Sequence, residues 1–384
     1  MMQIAHVGQM KPVMSFADMQ ATIRDSIAPW NLAISGDRLH SVSLRVSQVA
    51  LGDPHFTARN LKAILGEYDL DLVGFSAVSL MGGTKEQVHH PDWRSEERLS
   101  AMFAAANLAV ELATTDEFSI TTSALSHRRW VDASMPGNWA ALTLNVMRVV
   151  QHLVTIREKT GLTIHLDLEA EPGSLLRNTD DIVRFWEQWL VVRGAAMLSD
   201  RMSITDGTAA ETVLRHVRLA LDTAHAAVVW DDPATSLQRF LDAGVKIGRL
   251  QVSAALECDI PLDDRERAVL TEVLRALVSP TLSQQVVSKT GEQFEDLPDA
   301  IAAIDTAIGQ TWRIHTHAPV LADRYDLLRS TRPVTASWLR EIAARGVETG
   351  LVELRSANWA VVEDAGAIPD MITREAEWVE AQHT

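Results

Sequence analysis

The sequence predicts an α/β protein built as a single (β/α)8 barrel, and three observations predict it. Short apolar runs rich in β-branched residues alternate with longer segments of helical period. No Gly-x-Gly-x-x-Gly follows the first run, and Gly82-Gly83 is followed by Thr84-Lys85 without the Walker spacing, so a nucleotide cradle is not supported. No Pro/Gly/Ser linker, tandem repeat or low-complexity tract divides the 384 residues. Alternation of this kind favours a parallel sheet with helices outside it.

Candidate strands begin near Gln3, Ser41, Leu70, Phe118, Leu162, Val217, Ile247, Trp312 and Gly350. They are one more than an eight-stranded barrel requires. Between them, Ser95 is placed to cap a helix whose first turn carries Glu96 and Glu97. Thr179 is placed to cap another, with Asp180 and Asp181 complementing its dipole and Ile182, Phe185, Trp186 and Trp189 forming its apolar, core-packing stripe. Pro233 opens a third, which Gly244 closes as a left-handed cap. The stretch 257–310 reads as an insertion between the late strands, with a helix over Arg265–Leu277, a strand at Gln285–Ser288 and a helix over Leu297–Ala307.

Composition narrows the function. Lys+Arg number 35 against 51 Asp+Glu, a net charge of −16 that repels phosphate backbones and argues against nucleic acid as partner. Apolar residues at 47% and charged residues at 22% suit a packed globular chain. The lone Cys258 excludes an internal disulfide and a multi-thiolate zinc site. The start of the chain has no cationic region followed by a hydrophobic one, and no run approaches 18 apolar residues, so the expectation is a cytoplasmic protein without a membrane partner.

In a (β/α)8 barrel the C-terminal strand ends build the site, so polar residues there are informative. Period two puts Asp167, Glu169 and Glu171 on one pleat face. Asp222 and His225 close the Val217 run, His315 and His317 share a face of the Trp312 run, and Glu353 and Arg355 share a face of the last. Carboxylates gathered at a barrel mouth need a cation to neutralise them, and a divalent ion (Mn²⁺, Mg²⁺, Co²⁺ or, with more imidazole, Zn²⁺) suits an oxygen-rich set. Such an ion polarises a carbonyl while an acid moves the proton, which is the chemistry of carbohydrate isomerisation or epimerisation. Plainer roles compete: Asp222 as a helix cap, Glu353 with Arg355 as a structural ion pair, and the imidazoles as satisfied core groups.

The same runs carry a family pattern. The chain resembles the metabolite traffic protein EboE branch of the xylose isomerase-like barrels in Lys85-Glu86-Gln87-Val88, Pro91-Asp92-Trp93-Arg94, Leu168-Glu169-Ala170-Glu171-Pro172, Leu221-Asp222-Thr223-Ala224-His225, Leu250-Gln251-Val252-Ser253, His315-Thr316-His317-Ala318-Pro319 and Val352-Glu353. The resemblance implies a divalent site held by Glu169, Asp222, Gln251 and Glu353, with His317 competing for the Gln251 place. It implies His225 as a substrate contact and Glu169 as an alternative proton-transfer carboxylate. The chain departs from the branch at His6-Val7-Gly8-Gln9, at Phe75–Leu80, and at Arg355, where the branch tends to carry an acid. A guanidinium in place of an acid adds two positive charges near the ion, which weakens metal binding unless it faces an anionic substrate.

The first expectation is therefore a metal-dependent isomerase or epimerase of a sugar- or cyclitol-like metabolite in secondary metabolism. Glu169, His225 and Glu353 would be catalytic, and Arg355, His315 and Glu171 would contact substrate. The alternatives are a metal-free barrel that binds or carries a small metabolite, and a cofactor-free acid–base enzyme using His225, His315 or His317 with a carboxylate.

Overall fold

A computed structural model describes residues 3–7, 13–29, 41–78, 85, 89–280, 282–357 and 368–382. Seven strands run in chain order around the barrel: β1 (Ile4–Val7), β2 (Ser41–Ser47), β3 (Asp71–Val78), β4 (Glu117–Ser123), β5 (Thr163–Glu169), β6 (Val217–Asp222) and β7 (Ile247–Val252). The chain then builds a second sheet before returning. Its strands are β8 (Ala254–Asp259), β9 (Val286–Ser288), β10 (Gln293–Phe294), β11 (Thr311–Ala318), β12 (Arg324–Tyr325) and β13 (Leu328–Ser330). Finally β14 (Thr349–Leu354) inserts between β7 and β1 and closes the barrel, all of its neighbours parallel. The architecture is a closed (β/α)8 barrel.

The surplus candidate strand is the one at Trp312. It forms β11 and lies antiparallel to β8 and β9 in the second sheet, not in the barrel. Strand propensity sets the pleat but not the pairing partner, which is why the run read like a barrel strand. The whole second sheet leaves from the C-terminal end of β7 and rejoins at the helix Arg332–Ala344, so it stands over the mouth. The β8–β11 register breaks between Ile314 and Ala318, and a break of this kind re-aims the side chains within it. His315 and His317 fall in that stretch.

Local signals account for the helices. Ser95 caps the helix Glu96–Leu112, its hydroxyl accepting from the Glu97 and Arg98 N–H groups. The helix at Thr179 is capped instead by Asn178, whose side chain accepts from Asp181 N–H. Thr179 is turned away because its N–H and hydroxyl donate to Asp231 Oδ2 at 2.9 and 2.7 Å. Trp186 is fully buried and Trp189 nearly so, as their apolar stripe predicts. Pro233 opens the helix Pro233–Asp242, and Gly244 just beyond it has φ +71°.

The barrel axis is polar. Arg249, fully buried on β7, donates to Ser43 Oγ, Ser76 Oγ, Ser119 Oγ, two carbonyls and Glu353 Oε1, the last at 2.8 Å. Three serines leave the room that three branched side chains would fill, and the guanidinium fork ties β2, β3, β4, β7 and β14 together. Nearer the strand starts, Asp167 accepts from Ser119 Oγ at 2.5 Å and lies 2.7 Å from His165 Nδ1. Asp167 is thus a core group, below the mouth.

Candidate active site

Parallel register brings the expected acids to one end. Gln251 is the partner of Asp222 on one side and of Glu353 on the other, and Glu169 pairs with Ala220 and Ser123. All four side chains are buried. Of the departures noted above, Gly8, Gln9, Ser79 and Leu80 lie outside the described residues, as do Glu86, Gln87 and Val88.

The cation among these acids is Arg355. Its Nη1 donates to Glu169 Oε1 and stands 3.7 Å from Asp222 Oδ2. Burial opposes its charge, but the carboxylates of Glu169, Asp222 and Glu353 outweigh burial and hold the guanidinium protonated. Gln251 Nε2 donates at 3.3 Å to both Glu169 Oε2 and Glu353 Oε2. Glu353 is also bonded to Arg249. The four-residue ion site implied by the resemblance does not fit this arrangement: Glu169 and Glu353 are already neutralised by arginines, and Gln251 turns its amide donor toward both. Arg355 pairs with Glu169, not with its strand neighbour Glu353.

A different set of donors lies alongside. Asp222, His315 and His317 each bring one ligand atom within 4.8 Å of the others. Asp222 also caps its helix, with Oδ1 accepting from Ala224 and His225 N–H at 2.8 and 3.1 Å, so its second oxygen is the one facing the site. His317 Nδ1 lies 3.9 Å from that oxygen and 3.1 Å from Ser253 Oγ. His315 Nδ1 sits 3.4 Å from the Ser283 carbonyl, which can only accept, so the lone pair is on Nε2, buried and without a partner. Burial lowers the pKa of both rings, helped at His317 by Arg355, so both are neutral and able to ligate. This set does fit a divalent ion.

Two further groups complete the mouth. Burial first, and the Glu169 charge second, push the Glu171 carboxyl up to about 8, so it carries its proton at neutral pH. Its Oε2 is buried without a hydrogen-bond partner, 3.9 Å from His89 Nδ1. His225 is buried and lowered to about 4, donates from Nε2 to the Arg177 carbonyl at 2.7 Å, and packs edge-on against His315 at 5.5 Å. A cavity of about 210 Å³ opens among Glu169, Glu171, Asp222, His315, His317 and Arg355. His225, Gln251 and Glu353 do not line it; they support residues that do.

Arg45 on β2 and Arg249 were not singled out by sequence reading, and Lys85 entered only within the family-like stretch Lys85-Glu86-Gln87-Val88. Arg45 and Lys85 line the cavity. The signal of the two arginines is a guanidinium inside an apolar run, in Ser41-Val-Ser-Leu-Arg45 and Ile247-Gly-Arg249, which is costly without a role. Cys258 is buried on β8 and its thiol is pushed up to about 12 by burial, so it is no nucleophile. Among the described residues no helix is long and apolar enough to cross a membrane.

Solved structures show the same barrel fold. A D-allulose 3-epimerase from Methylomonas sp. superposes with a TM-score of 0.51 at 11% identity, covering 99% of this chain and 98% of that one. A D-tagatose 3-epimerase-like protein gives 0.47 at 10% identity with 100% of both chains covered. The IOLI protein with a binding zinc atom gives 0.48 at 9% identity over 100% and 99%. At 11% identity the first of these likenesses carries the fold alone, and the two with TM-scores under 0.5 carry no argument. No family model and no curated sequence matches the chain.

Proposed function

We propose that the barrel mouth is the active site of an isomerase- or epimerase-like enzyme that moves a proton on a sugar- or cyclitol-like metabolite. The observation that carries this is the contrast between two neighbouring carboxyl groups on one cavity wall. Glu171 is neutral and leaves one buried carboxyl oxygen without a partner, while Glu169 is ion-paired with Arg355. Environments that separate two acids in this way assign a proton donor and a proton acceptor. Glu171 would donate to the oxygen of a carbonyl or enediolate, and Glu169 would take the proton from carbon. Arg355 would hold Glu169 in place through their ion pair and face the developing oxyanion. Asp222, His315 and His317 are the residues that would hold a divalent ion, which when bound would polarise a carbonyl or hydroxyl oxygen. His225, Gln251 and Glu353 act behind them as positioning residues. The secondary-metabolism assignment rests on the EboE-like motifs alone.

The test is exchange of carbon-bound hydrogen in D₂O, followed by proton NMR across a panel of ketoses, aldoses and inososes together with their phosphate esters and uronic acids. Wild type should incorporate deuterium next to the carbonyl of at least one member, and Glu171→Gln should not. Absence of exchange across the panel would overturn the proposal. A metal-free carrier is the second reading, favoured by Arg355 seated at Glu169 and Asp222. Binding of a panel member without exchange would select it.

A further inference from the structure

Arg45 raises a question that the proton-transfer reading leaves unanswered. It leaves β2 at the barrel mouth and lines the same cavity as Arg355. Its Nε is buried with no hydrogen-bond partner, and the Nε of Arg355 is in the same condition. No ion pair of Arg45 occurs among the described residues. Burial and the nearby Arg355 charge both lower its pKa, so the folded protein holds this cation at a cost.

The acids in range do not answer it. Glu353 is bonded to Arg249 and Glu169 to Arg355, while Glu171 is neutral at physiological pH. Lys85, the third cation on the wall, is engaged by Asp296 at 2.5 Å. Two guanidinium groups therefore stand at one small cavity, each with a buried N–H donor left unused. Buried polar groups are almost always satisfied, and a guanidinium in particular is matched by a planar or tetrahedral oxyanion. Neutral hydroxyl groups would satisfy the donors but leave the Arg45 charge without a counterion.

We infer that the substrate carries an oxyanion group, carboxylate or phosphate, that is held by Arg45 together with Arg355. The pocket thus selects an acidic metabolite over a neutral sugar of the same size. This inference takes the mouth as a metabolite site, as proposed above, and deepens it by naming the substrate class. Arg45 is then a binding and specificity residue.

Calorimetric titration of the full chain with inorganic phosphate, and separately with malonate, tests it, using sodium chloride at matched ionic strength as the control. At least one of the two anions should bind saturably beyond the chloride control. Binding should weaken by at least ~tenfold in Arg45→Gln, and in Arg45→Lys, which keeps the charge but loses the fork. Phosphate alone would indicate a phosphorylated metabolite, and malonate alone a carboxylic acid. Arg45→Met should in addition raise the unfolding midpoint of the ligand-free protein, since it removes a partly buried cation that has no ion pair among the described residues. No binding beyond chloride, or equal binding in Arg45→Gln, overturns the inference. Anion binding without deuterium exchange removes the proton-transfer reading and keeps this one; exchange on neutral sugars without anion binding does the reverse.

Discussion

Replacing Arg249 with methionine probes the device that holds the barrel mouth together. The guanidinium is fully buried and meets Glu353 Oε1 at 2.8 Å, with Ser43, Ser76 and Ser119 hydroxyls at 2.8, 3.1 and 2.8 Å. Methionine fills much of the volume but leaves Glu353, itself 1% exposed, as a buried carboxylate that keeps the Gln251 amide and loses its arginine hydrogen bond. Removing one partner of a buried, hydrogen-bonded pair costs about 3–5 kcal/mol, mostly the penalty of the stranded charge. The serines lose donors too, but hydroxyls can turn to one another. Urea unfolding of wild type, Arg249→Met, Glu353→Gln and the double variant measures this as a cycle. The double variant should lose less than the sum of the singles by at least about 2 kcal/mol, because neutral groups strand no charge. If Arg249→Met lies within about 1 kcal/mol of wild type, or the two losses simply add, the pair is not what stabilises the polar axis.

Other predictions follow from single contacts. Because Glu171 titrates near 8 when folded and near 4.5 when unfolded, the folded state binds the extra proton between those values. Stability should therefore fall as pH rises from about 5 through about 8, by a few kcal/mol, and Glu171→Gln should flatten the curve; an unchanged slope counts against the neutral acid. Glu375, buried and raised to about 7, adds a smaller slope of the same sign that Glu171→Gln leaves in place. After equilibration with Zn²⁺ and dialysis, elemental analysis should find roughly one ion per chain in wild type and in Glu353→Gln, and little in Asp222→Ala or His315→Ala. Equal loss in Glu353→Gln would restore the strand-end set of ligands. At Gly248 a methyl group would overlap Asp167 Oδ1 and come within 2.9 Å of Arg218 Cβ. Gly248→Ala should cost about 1–3 kcal/mol in thermal or urea unfolding, and a neutral effect would mean that Asp167 is free to move.

The sequence by itself determined the periodicities and the residue types at the strand ends. Alternation of two places Glu169 and Glu171 on one wall whatever the surroundings, and Asp222 reads as both strand end and helix cap, which it is. Ser95 could be assigned because its partners are two and three residues away. What lies farther along the chain was decided only by the tertiary structure. Arg355 reaches Glu169, 186 positions away, in preference to Glu353 two residues before it, because barrel closure sets those strand ends across a common mouth. The Trp312 run could not declare an antiparallel partner, yet that pairing and its register break deliver His315 and His317 to Asp222. Arg45 and Arg249 were ordinary letters in apolar runs until folding took water from them; only burial turns a guanidinium into a demand for a particular anion.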